Sequence, residues 1–191
     1  PLANLAAICP ATGRRLDVSQ LYGFKRVVGD YEPLLKITDI DIVYVASANT
    51  DHAKHSLAAL RAGKHVLCEK PIAMSIQELL DVQTAARLYR RLFLDGTFQA
   101  YLPSFQVLVA QLKMRDPPLT IKLHKKIKYT LMKSSPLLTS PKLGGGIYEG
   151  TGSYTAHMLV SLMGVNVVMG LRPERVIVSS IKGPGGVDWQ T

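Results

Sequence analysis

The stretch Ile40–Ser75, IDIVYVASANTDHAKHSLAALRAGKHVLCEKPIAMS, decides the fold. Ile40 to Ala46 is a short apolar run of the kind that forms a fully buried strand. Ser47 to Thr50 is a polar turn, and Asp51 to Ala62 reads as a helix closed by Gly63. Lys64 to Cys68 returns as a strand that ends at Glu69. Strand, helix and strand in so few residues is the pattern of a parallel sheet covered by helices.

Downstream, Ser75 and Glu78 have the S-x-x-E spacing of a capping box and predict a helix over Ile76–Leu88, with Leu92–Leu94 as the next strand. Upstream, Leu5–Cys9 reads as a buried strand and Arg14–Tyr22 as a helix stopped by Gly23. A short Arg26–Val28 strand and a small helix around Asp30–Leu35 complete the first half. From Asp95 the texture becomes α+β. A helix from Pro103 to about Leu112 is followed by a basic strand, a Pro/Ser/Thr-rich loop over Ser134–Lys142 and the glycines Gly144–Gly146. A largely buried helix over Tyr154–Met163 and a strand over Glu174–Ile181 come after them. The boundary belongs near Gly96, dividing the chain into 1–95 and 96–191.

With 191 residues, 47% hydrophobic and 19% charged, the chain has the composition of a folded globular protein. Its longest greasy stretch, His157–Leu171, includes Ser161, Gly164 and Asn166 and falls short of the roughly 20 apolar residues that span a bilayer, so no membrane partner is expected. Cys9 and Cys68 lack a CxxC spacing, which argues against a disulfide framework and favours a reducing, cytoplasmic location. The net charge of +9 is concentrated between Gln111 and Lys142, where eight basic residues face one acid, Asp116. There Ile121, Leu123, Ile127 and Tyr129 alternate with Lys122, His124, Lys126 and Lys128, as on a half-solvated strand. The aromatic interleaving of a nucleic-acid groove is missing, so nucleic acid is not the expected partner.

Ligands of open parallel sheets lie beyond the carboxyl ends of the strands. Ser47-Ala48-Asn49-Thr50-Asp51-His52 and Glu69-Lys70-Pro71 occupy those places. A lysine at such a mouth can serve as proton donor or acceptor once burial and neighbouring charge tune it, with Glu69 orienting the ammonium. The plainer readings are a capped turn and a solvated ion pair. His52, His55, His65 and Cys68 invite a metal, but His65 and Cys68 are three apart on a strand and face opposite sides, so no metal site is assigned. No serine sits in a G-x-S-x-G turn either.

The run DIDIVYVASANTDHAKHSLAALRAGKHVLCEKPIAMS, Asp39–Ser75, closely resembles the glucose-fructose oxidoreductase, inositol dehydrogenase and dimeric dihydrodiol dehydrogenase family. GGGIYEGTGSYTAHMLVSLMG, Gly144–Gly164, is similar to that family's second signature, and PERVIVSS with GVDWQT resembles the strand after it. The resemblance implies a nucleotide-binding, Rossmann-type α/β sheet over 1–95 followed by part of an α+β open-sheet domain for substrate or oligomerisation over 96–191. It also implies NAD or NADP, and hydride transfer to or from a sugar or cyclic diol. By likeness, Asn49 and His52 match a cofactor-contacting N-x-x-H turn, Ser47 lies beside it, and Glu69, Lys70 and Pro71 match the EKP motif. Lys70 is then the acid/base, assisted by Tyr154.

The sequence also departs from that pattern. The family's first strand and G-x-G-x-x-G turn would precede Leu5, so the sheet is expected to be incomplete and the chain a fragment. Gly150 stands where the second signature usually has an acid, with Glu149 one residue early and about 100° away on a helix. Ala100 stands where an arginine is usual. Pro10, with Arg14 and Arg15 soon after, replaces the acid that binds a ribose 2′-hydroxyl, which makes Arg14 a candidate cofactor contact and leans towards NADP. The expected function is an NAD(P)-dependent oxidoreductase, homo-oligomeric when complete. The runner-up is a non-catalytic relative that keeps the fold as a binding or scaffold module.

Overall fold

The computed structural model describes residues 3–10, 20–114, 122, 135–164, 170, 181–182 and 188–190. Two compact units divide the chain, Pro1–Ser47 with Asp51–Asp95, and Ala48–Thr50 with Gly96–Thr191.

In the first unit, β1 (Ala7–Ile8) pairs in parallel with β2 (Arg26–Val27). Arg26 reaches sideways to Asp39 at 2.6 Å, and this guanidinium holds the Asp39 carboxyl below the usual carboxylate range. Helix α1 (Tyr31–Leu35) follows, then β3 (Ile42–Val45), α2 (His52–Arg61), β4 (His65–Cys68), α3 (Ile76–Leu88) and β5 (Phe93–Asp95). The last three strands form a parallel sheet in the order β3-β4-β5, the arrangement of a Rossmann-type α/β fold.

Local chemistry explains the helix ends. Ser75 Oγ accepts from the Glu78 amide at 3.2 Å while the Glu78 carboxylate takes the Met74 amide at 2.8 Å, so the capping box starts α3 at Ile76. After α2, Gly63 turns left-handed (φ 75°) and lets the Lys64 amide donate back to Ala59 O at 3.0 Å.

Alternation along the strands sets the core. Val43, Val45, Val66 and Cys68 are buried with Ala53, Ala59, Leu60, Val82 and Ala85 from α2 and α3. Ile42, Tyr44 and Leu94 take the other parity and are 62%, 57% and 51% exposed. The expectation of a fully buried strand over Ile40–Ala46 is therefore corrected: α2 and α3 pack on one face, and only that parity of β3 is covered. Leu5–Cys9 is likewise only half-buried, with its strand confined to Ala7–Ile8.

In the second unit, α4 (Pro103–Lys113) opens on proline and packs against α6 (Ile147–Met163). Between them in the chain lie the short α5 (Pro136–Thr139) and a single turn at Pro141–Leu143. Helix α6 begins seven residues before the expected Tyr154, because Gly145 and Gly150 bring its start close to α5. A Cβ at Gly145 would stand 2.9 Å from the Leu138 carbonyl, and one at Gly150 would stand 3.2 Å from Leu138 Cδ2. β6 (Ile181–Lys182) and β7 (Asp188–Gln190) form an antiparallel pair. The basic strand expected around Ile121–Tyr129 and most of the Glu174–Ile181 strand lie outside the described residues.

Candidate active site

The register of the central sheet places Val45, Cys68 and Asp95 on one rung, so β3, β4 and β5 end level with one another. The Glu69 amide donates to Val45 O at 2.8 Å and carries the ladder one step further, which delivers Lys70 just beyond the sheet. The turn after β3 leads at the same edge into the amino end of α2, where Asp51 makes no side-chain cap.

His52, at the start of α2, is 1% exposed. Its Nδ1 reaches the Pro71 carbonyl at 2.6 Å and its Nε2 the Ser47 carbonyl at 3.1 Å. The ring is thus a buried tie between the turns after β3 and β4. One helical turn on, His55 Nδ1 lies 3.0 Å from Ser47 Oγ, and the Tyr31 hydroxyl donates to His55 O at 2.7 Å. Burial holds the His55 pKa below its ordinary value, with help from Lys54 and His52 and against the pull of Asp51. Burial likewise raises the Tyr31 phenol well above its usual value.

Glu69 does more than sit beside Lys70. Its Oε1 accepts from the Tyr44 phenol at 2.5 Å, and its Oε2 accepts from the Lys70 amide at 3.3 Å. Lys70 and Pro71 are half-buried, and the peptide between them is cis. The Cys68 thiol beneath is 0% exposed, and burial pushes its pKa up to about 11. Tyr44 and Tyr31 are not singled out by the sequence, and His55 is noted there only among the histidines that invite a metal. The signal for Tyr44 was its position one residue from Val43 and Val45, on the opposite parity of the same strand.

The remaining candidates belong to the second unit or lie outside the described residues. Asn49 Nδ2 donates to Gly144 O at 2.8 Å, joining the N-x-x-H turn to the glycine-rich signature. Tyr154 projects from α6 with the Phe98 ring edge-on at 5.9 Å between centroids. Gly150 lies in the first turns of α6, and Ala100 in a short turn at Phe98–Tyr101. Arg14 lies outside the described residues. Among those residues, no group of three or more His, Cys, Asp or Glu side chains is placed to hold a metal. No helix among them is long and apolar enough to cross a membrane.

The edge suits a nicotinamide dinucleotide in its donor set. It presents a helix amino end, which favours anionic groups, together with an ammonium and small polar side chains. The G-x-G-x-x-G phosphate turn does not occur in this sequence.

Residues 1–95 match the model of GFO_IDH_MocA, an oxidoreductase family with an NAD-binding Rossmann fold. The chain is 27% identical over 175 residues to a trans-1,2-dihydrobenzene-1,2-diol dehydrogenase of Xenopus laevis, covering 90% of this chain and 50% of that protein. Thus it spans about half the length of the curated relatives it matches. An NAD-binding protein from Listeria innocua shares the fold at a TM-score of 0.66 with 18% identity, over 81% of this chain and 46% of the other. A 3-ketoreductase from Actinomadura kijaniata, solved in complex with TDP-benzene and NADP, superposes at a TM-score of 0.56 with 31% identity, over 59% and 36%.

Proposed function

Residues 1–95 belong to the oxidoreductase family with an NAD-binding Rossmann fold, and on that premise we propose that the protein containing this chain transfers hydride between NAD(P) and a hydroxyl-bearing carbon of a sugar or cyclic diol. The observation that carries the reading is the placement of Lys70 two residues beyond the end of β4, which is level with β3, where open sheets bind their ligands. The dihydrodiol dehydrogenase and 3-ketoreductase relatives support the substrate class.

In this reading the turn at Ser47 and Asn49 and the segment Glu69-Lys70-Pro71 line the cofactor site, with the amino end of α2 turned towards negative charge. His52 acts through the main chain of Ser47 and Pro71. The Lys70 ammonium gives a proton to the substrate oxygen in reduction, and the amine takes it back in oxidation. Tyr154 is given the assisting role that the family likeness implies for it. Hydride exchange at carbon is the chemistry that a bound nicotinamide supplies. Arg14 is assigned to the ribose 2′-phosphate, which favours NADP. The complete protein is proposed to be cytoplasmic and homo-oligomeric.

The test is fluorescence titration with NADPH and NADH of this chain and of the chain with its upstream coding sequence restored. Binding by the restored protein, together with a loss of reductase turnover in Lys70→Ala that exceeds any loss of cofactor affinity, is the expected result. Absence of binding in both forms refutes the reading.

A further inference from the structure

We infer that Tyr44 is a positioning residue for Lys70, acting through the Glu69 carboxylate; the inference rests on Lys70 being the proton-transfer group proposed above. The pairing of Tyr44 with Leu67 puts Glu69, two residues further along, on the same side of the sheet as the Tyr44 ring. The phenol runs diagonally along this face, and its hydroxyl meets Glu69 Oε1 at 2.5 Å. Glu69 Oε2 meets the Lys70 amide at 3.3 Å, so the carboxylate is held at both oxygens.

The Tyr44 ring is 57% exposed, so burial does not account for an aromatic residue here, whereas the hydroxyl has a defined partner. A glutamate at a strand end otherwise turns freely in solvent. Tied to Tyr44, it keeps a negative charge at a fixed place beside Lys70 and fixes the main chain from which the ammonium projects. Tyr44 touches neither substrate nor cofactor in this scheme; it sets the geometry of the residue that does.

Tyr44→Phe removes one oxygen and leaves the ring. Two readouts apply to the 191-residue chain, the side-chain carboxyl carbon resonance of Glu69 at neutral pH and the hydrogen exchange of the Lys70 amide. Tyr44→Phe is expected to move the Glu69 resonance and to speed Lys70 exchange about fivefold, the scale of one charge-assisted hydrogen bond at an exposed site, with the amides of β3 and β4 unchanged. Glu69→Gln is expected to speed the same amide, and should Tyr44→Phe fail to fold, Tyr44→Leu, which also lacks the hydroxyl, is read in the same two ways. An unmoved Glu69 resonance, an unchanged Lys70 amide, or a rise shared equally by the β3 and β4 amides overturns the inference. Neither readout uses a nicotinamide. A chain that binds NADPH but shows no tie overturns this inference alone, whereas a restored chain that binds no nicotinamide removes the catalytic reading and the purpose of the tie with it.

Discussion

His52 Nδ1 lies 2.6 Å from the Pro71 carbonyl oxygen, and the same ring meets the Ser47 carbonyl through Nε2, so one buried side chain spans the turns after β3 and β4. Neither turn belongs to the strand ladder. The level ends of the strands set the floor of the edge, and His52 sets the spacing of what stands on it.

Replacing His52 by alanine removes a 1% exposed ring together with its contacts to the Pro71 and Ser47 carbonyls, one of which takes the N–H of a neutral imidazole. The expected loss is about 3 kcal/mol, from the cavity and the lost hydrogen bond together. Urea unfolding checks it as a lower midpoint with an unchanged slope. A loss below about 1 kcal/mol, the scale of an ordinary surface substitution, would show that the ring ties nothing.

His55 gives a pH dependence whose sign follows from burial. Its folded pKa lies below the ordinary histidine value of about 6.5, so the unfolded chain takes the proton first as the pH falls. The contribution to stability is complete above 6.5 and is lost as the pH drops through the lower folded value. Calorimetry between about pH 7.5 and 5.5 is expected to show a falling Tm that flattens in His55→Gln, because the histidine is then the group that titrates. An identical pH profile in the variant would rule the assignment out.

The two thiols should differ in reactivity. Cys68 is 0% exposed with its pKa pushed up to about 11, whereas Cys9 is half-buried. Iodoacetamide at neutral pH is expected to modify Cys9 first and to reach Cys68 only in denaturant, since the thiolate is the nucleophile. Peptide mass spectrometry reads both sites in one sample. Equal labelling in the native chain would contradict the buried position of Cys68.

Local signals in the sequence located the helices of the first unit well. Ser75 with Glu78 placed α3 at Ile76–Leu88, and Gly63 marked the end of α2, because a capping box and a left-handed glycine act within a few residues. What failed depended on distant chain. Ile-Val-Tyr-Val carries no polar alternation, so it read as buried on both faces until the packing of α2 and α3 on one side was known. The start of α6 was missed because glycine favours loops, and only the close approach of Leu138 explains why Gly145 and Gly150 lie there. Lys70 could be named from its motif and its strand end. The hydrogen bond from Tyr44 to Glu69 could not, since it exists only in the register that pairs Tyr44 with Leu67.

Two helix ends in the first unit use the same device with different residues. After α2, Gly63 has φ 75° and the Lys64 amide returns to Ala59 O; after α3, Arg90 has φ 51° and the Arg91 amide returns to Ala86 O at 2.9 Å. The geometry is shared, but only Arg90 carries a Cβ in the left-handed region, where an L-residue costs about 1 kcal/mol or more. Arg90 is exposed, so Arg90→Gly is expected to stabilise the chain by about 0.5–1 kcal/mol, the relief of strain exceeding the added freedom of the unfolded chain. Gly63→Ala is the converse. An added Cβ would meet only the Arg91 side chain, at 3.7 Å, so its cost is conformational and is expected near 1 kcal/mol. Urea midpoints of both variants against the parent decide the matter: a destabilised Arg90→Gly would mean that the arginine side chain contributes more there than its backbone conformation costs.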